Sequence, residues 1–139
     1  MLASRDPTST YDKLSKQIDS LAPPAAVDIT NPDSLRSPFE GADVVVSLVG
    51  LLMGSPATFD QVQWKGAENV ALVAREQNAK LVHLSAIGAD PNSPLPSPRT
   101  KALGEQAVLA ACPNATILRP SLVFGPGDSF FMVKVLSLH

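Results

Sequence analysis

Val44-Val45-Val46-Ser47-Leu48-Val49 decides the fold: it is a continuous, largely β-branched run held between Asp43 and Gly50. A strand with one wet face alternates apolar and polar residues, so this run predicts a strand buried on both faces, as in parallel sheets. Working outward, Leu81-Val82-His83-Leu84-Ser85 is a second such run and Ala115-Thr116-Ile117-Leu118-Arg119 a third. Between the first two, residues 58–79 space Phe59, Val62, Gly66, Val70 and Val73 three or four apart, one stripe of an amphipathic helix. Residues 98–111 set Leu103, Ala107, Val108 and Ala111 on one helical face before Cys112-Pro113-Asn114, where proline stops the helix. Upstream, Ala26-Val27-Asp28 reads as the end of a short strand. Asn31 is placed to cap the next helix, with Pro32 at its first position, where a missing N–H costs nothing. Strand and helix in alternation specify an α/β domain, a parallel sheet with helices on its faces.

Composition narrows the function classes. With 139 residues the chain is of single-domain length, and 45% hydrophobic against 17% charged residues excludes a disordered polypeptide. No apolar run approaches the roughly twenty residues of a spanning helix. Eleven Lys/Arg against thirteen Asp/Glu give a net charge of −2 without any block of like charge, so nothing points to nucleic acid or an anionic membrane. One cysteine, Cys112, allows neither an internal disulfide nor a cysteine-built metal site, and no metal centre is expected. The first residues lack the apolar core of a secretory signal, and Asp6 and Asp12 interrupt the acid-free pattern of a transit peptide.

Ligands of open α/β sheets sit beyond the carboxyl ends of the strands. Those positions hold Arg5-Asp6-Pro7, Asp28-Ile29, Leu48-Val49-Gly50, Ser85-Ala86-Ile87-Gly88 and Arg119-Pro120-Ser121, with Ser97-Pro98-Arg99-Thr100-Lys101 opening a helix. Together with Gly41-Ala42-Asp43, Ala102-Leu103-Gly104-Glu105 and Leu122-Val123-Phe124-Gly125-Pro126-Gly127-Asp128, this series resembles the atypical, extended-type short-chain dehydrogenase/reductase family, also described as NAD-dependent epimerase/dehydratase-like. It is most similar to the branch containing the NAD(P)-binding accessory subunit of mitochondrial complex I and fungal relatives associated with ubiquinone biosynthesis. The resemblance covers residues 1–131, with 132–139 as a divergent tail.

The resemblance implies a Rossmann-like parallel sheet with helices on both faces and NAD(P) as cofactor. Asp28 takes the position that contacts adenine; equally, it is an aspartate favoured by a helix dipole. Arg5 takes the place where a guanidinium grips a 2′-phosphate, or is a solvated terminal arginine. Val49 and Gly50 bring backbone to the ribose, Pro120 flanks the nicotinamide, and Lys101 holds its ribose. The bland alternative for Lys101 is a surface lysine paired with Glu105 four residues on. Ser85 is the candidate substrate-positioning hydroxyl, so Ser85 and Lys101 are what remains of a catalytic set.

Active members use a tyrosine as general acid/base four residues before the lysine. That position is Ser97, a far weaker acid, which with Pro98 reads instead as a helix N-cap. Tyr11, the one tyrosine, lies elsewhere, and the family's helix asparagine falls on Gln63. Hydride-transfer catalysis is therefore not expected. His83, Trp64 and the Phe130-Phe131 pair read as packing residues.

The glycine-rich turn after the family's first strand is absent, and the chain begins as if inside the second strand, at Met1-Leu2-Ala3-Ser4. In the strand order 3-2-1-4-5-6 the first is central. The expectation is thus a sheet lacking its central strand, a fragment whose two unpaired edges face each other, binding NAD(P) weakly or not at all. The implied function is a non-catalytic NAD(P)-binding-type accessory protein, partnered with respiratory complex I or ubiquinone-synthesis proteins and mitochondrial by resemblance. The alternatives are an active oxidoreductase or epimerase with an unusual proton donor, or a redox-sensing regulator.

Overall fold

The structure, a computed structural model, describes residues 1–16, 21–123 and 125. Phe130, Phe131 and the tail 132–139 lie outside them. Strands and helices alternate along the chain: β1 (Ala3–Ser4), α1 (Pro7–Leu14), β2 (Ala25–Ala26), α2 (Asp33–Phe39), β3 (Val44–Ser47), α3 (Pro56–Phe59), α4 (Gly66–Glu76), β4 (Lys80–Leu84), α5 (Pro96–Ala111) and β5 (Thr116–Leu118). All pairings are parallel. β1 pairs with β2, aligning Ala3 with Ala25; separately, β3, β4 and β5 form a three-stranded sheet in that order, with Val45 opposite Leu81 and His83 opposite Ile117. The α/β class read from the sequence is what the chain adopts. No pairing joins β1 to β3 among the described residues, so the sheet is in two pieces.

The core lies on one side of the three-stranded sheet. Val45 and Leu81 meet Leu35 and Phe39 of α2, Ala67, Val70, Ala71, Val73 and Ala74 of α4, and Val108 and Ala111 of α5. The opposite face does not close as the Val44–Val49 run predicts: Val44 is 50% and Val46 55% exposed, with Leu48 and Leu118 exposed beside them. Crossover handedness explains the asymmetry. Right-handed connections from β3 to β4 and from β4 to β5 put α4 and α5 on one face of that sheet, while α1 packs on β1. Because α1 serves only the short β1–β2 piece, the second face of β3 stays bare.

Local chemistry sets the helix limits. Pro56 opens α3 behind Ser55, whose hydroxyl accepts the Thr58 N–H at 3.2 Å. A π-helical segment, Asp60–Lys65, joins α3 to α4 without a break. It widens the turn and rotates the stripe, so Gln63 is buried at 2% exposure while Val62 is half-buried. Asn31 stands one residue ahead of the cap: α2 begins at Asp33, Pro32 holds the cap position without a side-chain cap bond, and Asn31 Oδ1 accepts the Asp33 N–H at 3.1 Å from the preceding turn. Ser97 is not a cap either. Helix α5 begins at Pro96, with Leu95 extended before it and no side-chain cap, which leaves Ser97 within the first turn. Pro96 provides the same preset φ as Pro98 two residues sooner. The buried residues of α5 are Thr100, Ala102, Gly104, Glu105, Val108 and Ala111, whereas Leu103 and Ala107 are half-buried. Gly104 decides this. A Cβ there would stand 2.3 Å from the Gln63 carbonyl oxygen, so only glycine lets α5 lie against the π segment.

Candidate functional site

Beyond the carboxyl ends of β1, β2 and β3 lies a cavity of about 380 Å³, lined by Ser4 and Arg5, Asp28–Thr30, Val49–Leu51, and Thr58, Gln61 and Val62. Four of the residues picked from the sequence as cofactor contacts, Arg5, Asp28, Val49 and Gly50, therefore share one wall system. The π segment supplies the opposite side.

Asp28 is held by its own turn. Its Oδ1 accepts the Thr30 hydroxyl at 2.7 Å and the Thr30 N–H at 2.9 Å. Those bonds, first that of the Thr30 hydroxyl, lower the carboxyl below its ordinary range, with a smaller share from the Arg5 charge. The backbone around Asp28 is fixed by Ser34, whose hydroxyl accepts the Asp28 N–H at 3.0 Å and donates to the Asp28 carbonyl at 2.8 Å. Both readings of Asp28 thus meet in one residue: it shapes the loop entering α2 and also faces the cavity. Arg5 is exposed and makes no hydrogen bond or ion pair with a described residue.

Lys101 reaches across from the first turns of α5. Its ammonium donates to the Val49 carbonyl at 3.2 Å and the Leu84 carbonyl at 3.0 Å, clasping the ends of β3 and β4. A Cβ on Gly50 would lie 3.4 Å from Nζ, so the cation sits directly behind the cavity wall. Burial lowers the Lys101 pKa, against the opposing charge of Glu105. The surface pair between Lys101 and Glu105 does not form. Glu105 instead takes both ends of the Arg119 guanidinium, Oε1 from Nε at 2.8 Å and Oε2 from Nη2 at 2.5 Å. Burial alone would raise the Glu105 carboxyl, but the bonds and charge of Arg119 outweigh it and bring it below its usual value.

Ser85 and Pro120 stand apart from that cavity. The Ser85 N–H donates to Leu118 O and the Ile87 N–H to Pro120 O, both at 2.8 Å, which extends the β4–β5 pairing past the strand ends. Ser47 Oγ and both ring nitrogens of His83 are buried without a hydrogen-bond partner among the described residues, and the buried Ser85 Oγ lacks a bond of ordinary geometry but lies close enough to Glu105 to help lower its carboxyl pKa. His83, 2% exposed, is a core histidine as its strand context predicts; burial first and the Lys101 charge second push its pKa down to about 4. Tyr11 gives its hydroxyl to Leu21 O at 3.3 Å on the α1 side. Trp64 is half-buried under the Lys65 ammonium, 4.5 Å from the ring centre.

Sequence reasoning missed the polar seam between α5 and the π segment. Gln63 Oε1 accepts the Thr100 hydroxyl and its Nε2 donates to Leu51 O, each at 3.2 Å. The one signal for it was a buried-stripe position occupied by glutamine. The Glu105–Arg119 pair had no signal, since its members sit on different elements.

Chemically, this arrangement offers a free guanidinium, a committed carboxylate and strand-end backbone to an adenosine-like group. No described glycine-rich turn opens a helix toward the cavity, so the usual seat of a pyrophosphate is not among these residues. Nor does a phenol stand one helical turn before Lys101; Ser97 does.

The family model of the RmlD substrate binding domain matches residues 12–139. The chain is 37% identical over 103 residues to the NADH-ubiquinone oxidoreductase 40 kDa subunit, mitochondrial, of Neurospora crassa, covering 73% of this chain and 28% of that one. It is 34% identical over 103 residues to the ceramide reductase of Caulobacter vibrioides, 73% of this chain and 32% of that one. The chain thus spans about three-tenths of the length of these relatives. In fold it is similar to dTDP-4-dehydrorhamnose reductase from Bacillus anthracis solved in complex with NADP, with a TM-score of 0.77 at 17% identity, covering 99% of this chain and 58% of that one.

Proposed function

Because the chain belongs to the family of the RmlD substrate binding domain, we propose that it serves as the NAD(P)-facing part of a non-catalytic accessory subunit of mitochondrial complex I. One observation carries the non-catalytic reading. The position one helical turn before Lys101 holds Ser97, and the Lys101 ammonium is already bound to two backbone carbonyls at 3.2 and 3.0 Å. An aliphatic hydroxyl has no acidity near neutral pH, and no other described acid stands beside it to exchange a proton with a substrate. The complex I reading rests on the 40 kDa subunit relative, and a mitochondrial site follows from it.

Within this reading Arg5 takes the phosphate end of an adenosine moiety, Asp28 and the backbone of Val49 and Gly50 flank the sugar and base, and Lys101 holds that backbone in place. Pro120 and Ser85 line the nicotinamide side when the remaining length of the protein is present. With no pyrophosphate seat among the described residues, the 139 residues alone are expected to bind NADPH weakly or not at all. Expressing the tagged protein in its own cells and resolving native complexes tests the assignment. Co-migration with complex I, together with no NADPH consumption by the captured subunit, is expected. Migration away from complex I overturns it.

A reductase is the second reading, favoured by the likeness to ceramide reductase and by the retained Lys101 and Ser85. NADPH turnover lost on Lys101→Met would establish it instead.

A further inference from the structure

Lys101 and Glu105 stand one turn apart on α5, the spacing at which opposite charges ordinarily pair along a helix surface. Each turns to a strand end instead. The Lys101 ammonium takes the carbonyls of Val49 and Leu84, at the ends of β3 and β4. The Glu105 carboxylate takes the guanidinium of Arg119, just past β5, through two bonds of 2.8 and 2.5 Å. One helix thereby grips all three strands of the sheet at their carboxyl ends. Each gripped residue immediately precedes one assigned to the site: Val49 before Gly50, Leu84 before Ser85, and Arg119 before Pro120.

The two grips constrain different things. Past β5 the chain is tied to β4 along one edge, by the Ser85 N–H to Leu118 O and the Ile87 N–H to Pro120 O. Alternation along a parallel pairing leaves the backbone groups of Arg119 facing away from β4, so its side chain is what ties this residue to α5. Ser85 Oγ lies beside the same carboxylate, close enough to help lower its pKa. Ser85 and the residue before Pro120 thus meet on one carboxylate, whose side chain is 9% exposed against 52% for Arg119. A carboxylate so placed is strongly destabilising without its partner, and an apolar side chain would pack α5 on the sheet at least as well. What a two-pronged charged pair adds is direction, because its fork geometry is fixed. We infer that Glu105 is the positioning residue of the nicotinamide side: through Arg119 it sets where Pro120 runs, and it fixes the Ser85 hydroxyl beside it. This rests on the NAD(P)-facing reading of the site.

Two probes titrated into the full-length protein test it: NADPH, and adenosine 2′,5′-bisphosphate, which lacks the nicotinamide half. In Glu105→Gln the guanidinium faces an amide with a single acceptor oxygen. With the Pro120 segment in its ligand-ready place about one-tenth of the time, the Kd for NADPH rises about tenfold, while that for the bisphosphate changes less than about twofold. The nicotinamide fluorescence gained on binding falls with it. A general loss of structure would weaken both probes alike. Arg119→Lys, at the exposed end of the pair, keeps the charge and gives the same split, since an ammonium does not hold both oxygens as a fork does. Without ligand, amide exchange at Ile87, whose N–H bonds Pro120 O, accelerates by the same factor in both variants, and exchange at Gly50 does not. Equal weakening of the two probes, unchanged NADPH affinity, or unchanged exchange at Ile87 overturns the inference. A parent protein that binds neither probe overturns the NAD(P)-facing reading instead, and exchange at Ile87 then still decides whether Glu105 sets the position of Pro120.

Discussion

Gly104→Ala is the substitution that most directly tests how α5 is seated. At an open helical position, alanine in place of glycine stabilises by about 1 kcal/mol. Here the added methyl would lie 2.3 Å from the Gln63 carbonyl oxygen, about 1 Å inside any tolerable contact. That oxygen is backbone and cannot swing aside, so α5 must move outward. Overpacking of this kind costs about 1–3 kcal/mol. The movement also stretches the Thr100–Gln63 and Gln63–Leu51 hydrogen bonds, each already 3.2 Å, around an amide that is 2% exposed. Leaving that amide unsatisfied adds about 1–3 kcal/mol. Net of the propensity gain, Gly104→Ala destabilises by about 1–5 kcal/mol, which at the middle of that range is a fall in Tm of roughly 10 °C for a chain of this size. Gly66→Ala is the matched control. Its methyl would meet Ile29 Cδ1 at 2.6 Å and Cγ1 at 2.8 Å, on a half-buried side chain that can rotate away, and the fixed Gln61 carbonyl oxygen only at 3.2 Å. It costs less than half as much. Urea unfolding of the three proteins, read by circular dichroism, gives the comparison. A Gly104→Ala protein as stable as the parent, or a Gly66→Ala protein that is the less stable of the two, refutes the steric account.

Two further outcomes follow from the buried titratable groups. His83 titrates near 4 when folded, below its ordinary 6.5, so between these pH values the unfolded chain binds the extra proton. Its contribution is fully present above pH 6.5, is lost as pH falls toward 4, and amounts to at most about 3 kcal/mol. His83→Leu flattens that part of the stability profile; urea midpoints at pH 7 and pH 4 that fall equally in both proteins contradict it. Lys101→Met keeps the aliphatic stem but strips the Val49 and Leu84 carbonyls of their donor, costing about 1–3 kcal/mol. Faster amide exchange at Gly50 and Leu51 should accompany it. Unchanged exchange there means the lysine does not hold the strand ends.

The alternation of strands and helices was legible because its carriers are local: β-branched runs, a 3.6-residue stripe, and prolines that fix helix starts and stops. The Asn31-Pro32 pair marked the start of α2 to within one residue, because the Asp33 N–H that the Asn31 side chain accepts is only two residues away. The same rule misplaced the start of α5, since three prolines compete there and sequence does not rank them. Lys101 was singled out by its motif, yet its partners could not be. Val49 and Leu84 are 52 and 17 residues distant, and only the sheet brings their carbonyls side by side. The gathering of Arg5, Asp28, Val49 and Gly50 around one cavity was expected from strand ends; the π segment opposite them was not, because a one-residue widening of a helix leaves no periodic trace.

What the amino-acid order determined by itself was class and sequence of elements, since period and punctuation are properties of neighbouring residues. Which face of β3 is covered, which charge Glu105 meets and how closely α5 lies on Gln63 were decided in three dimensions. Those outcomes depend on crossover handedness and on the distance between backbones far apart in the chain, and neither is written into any local stretch.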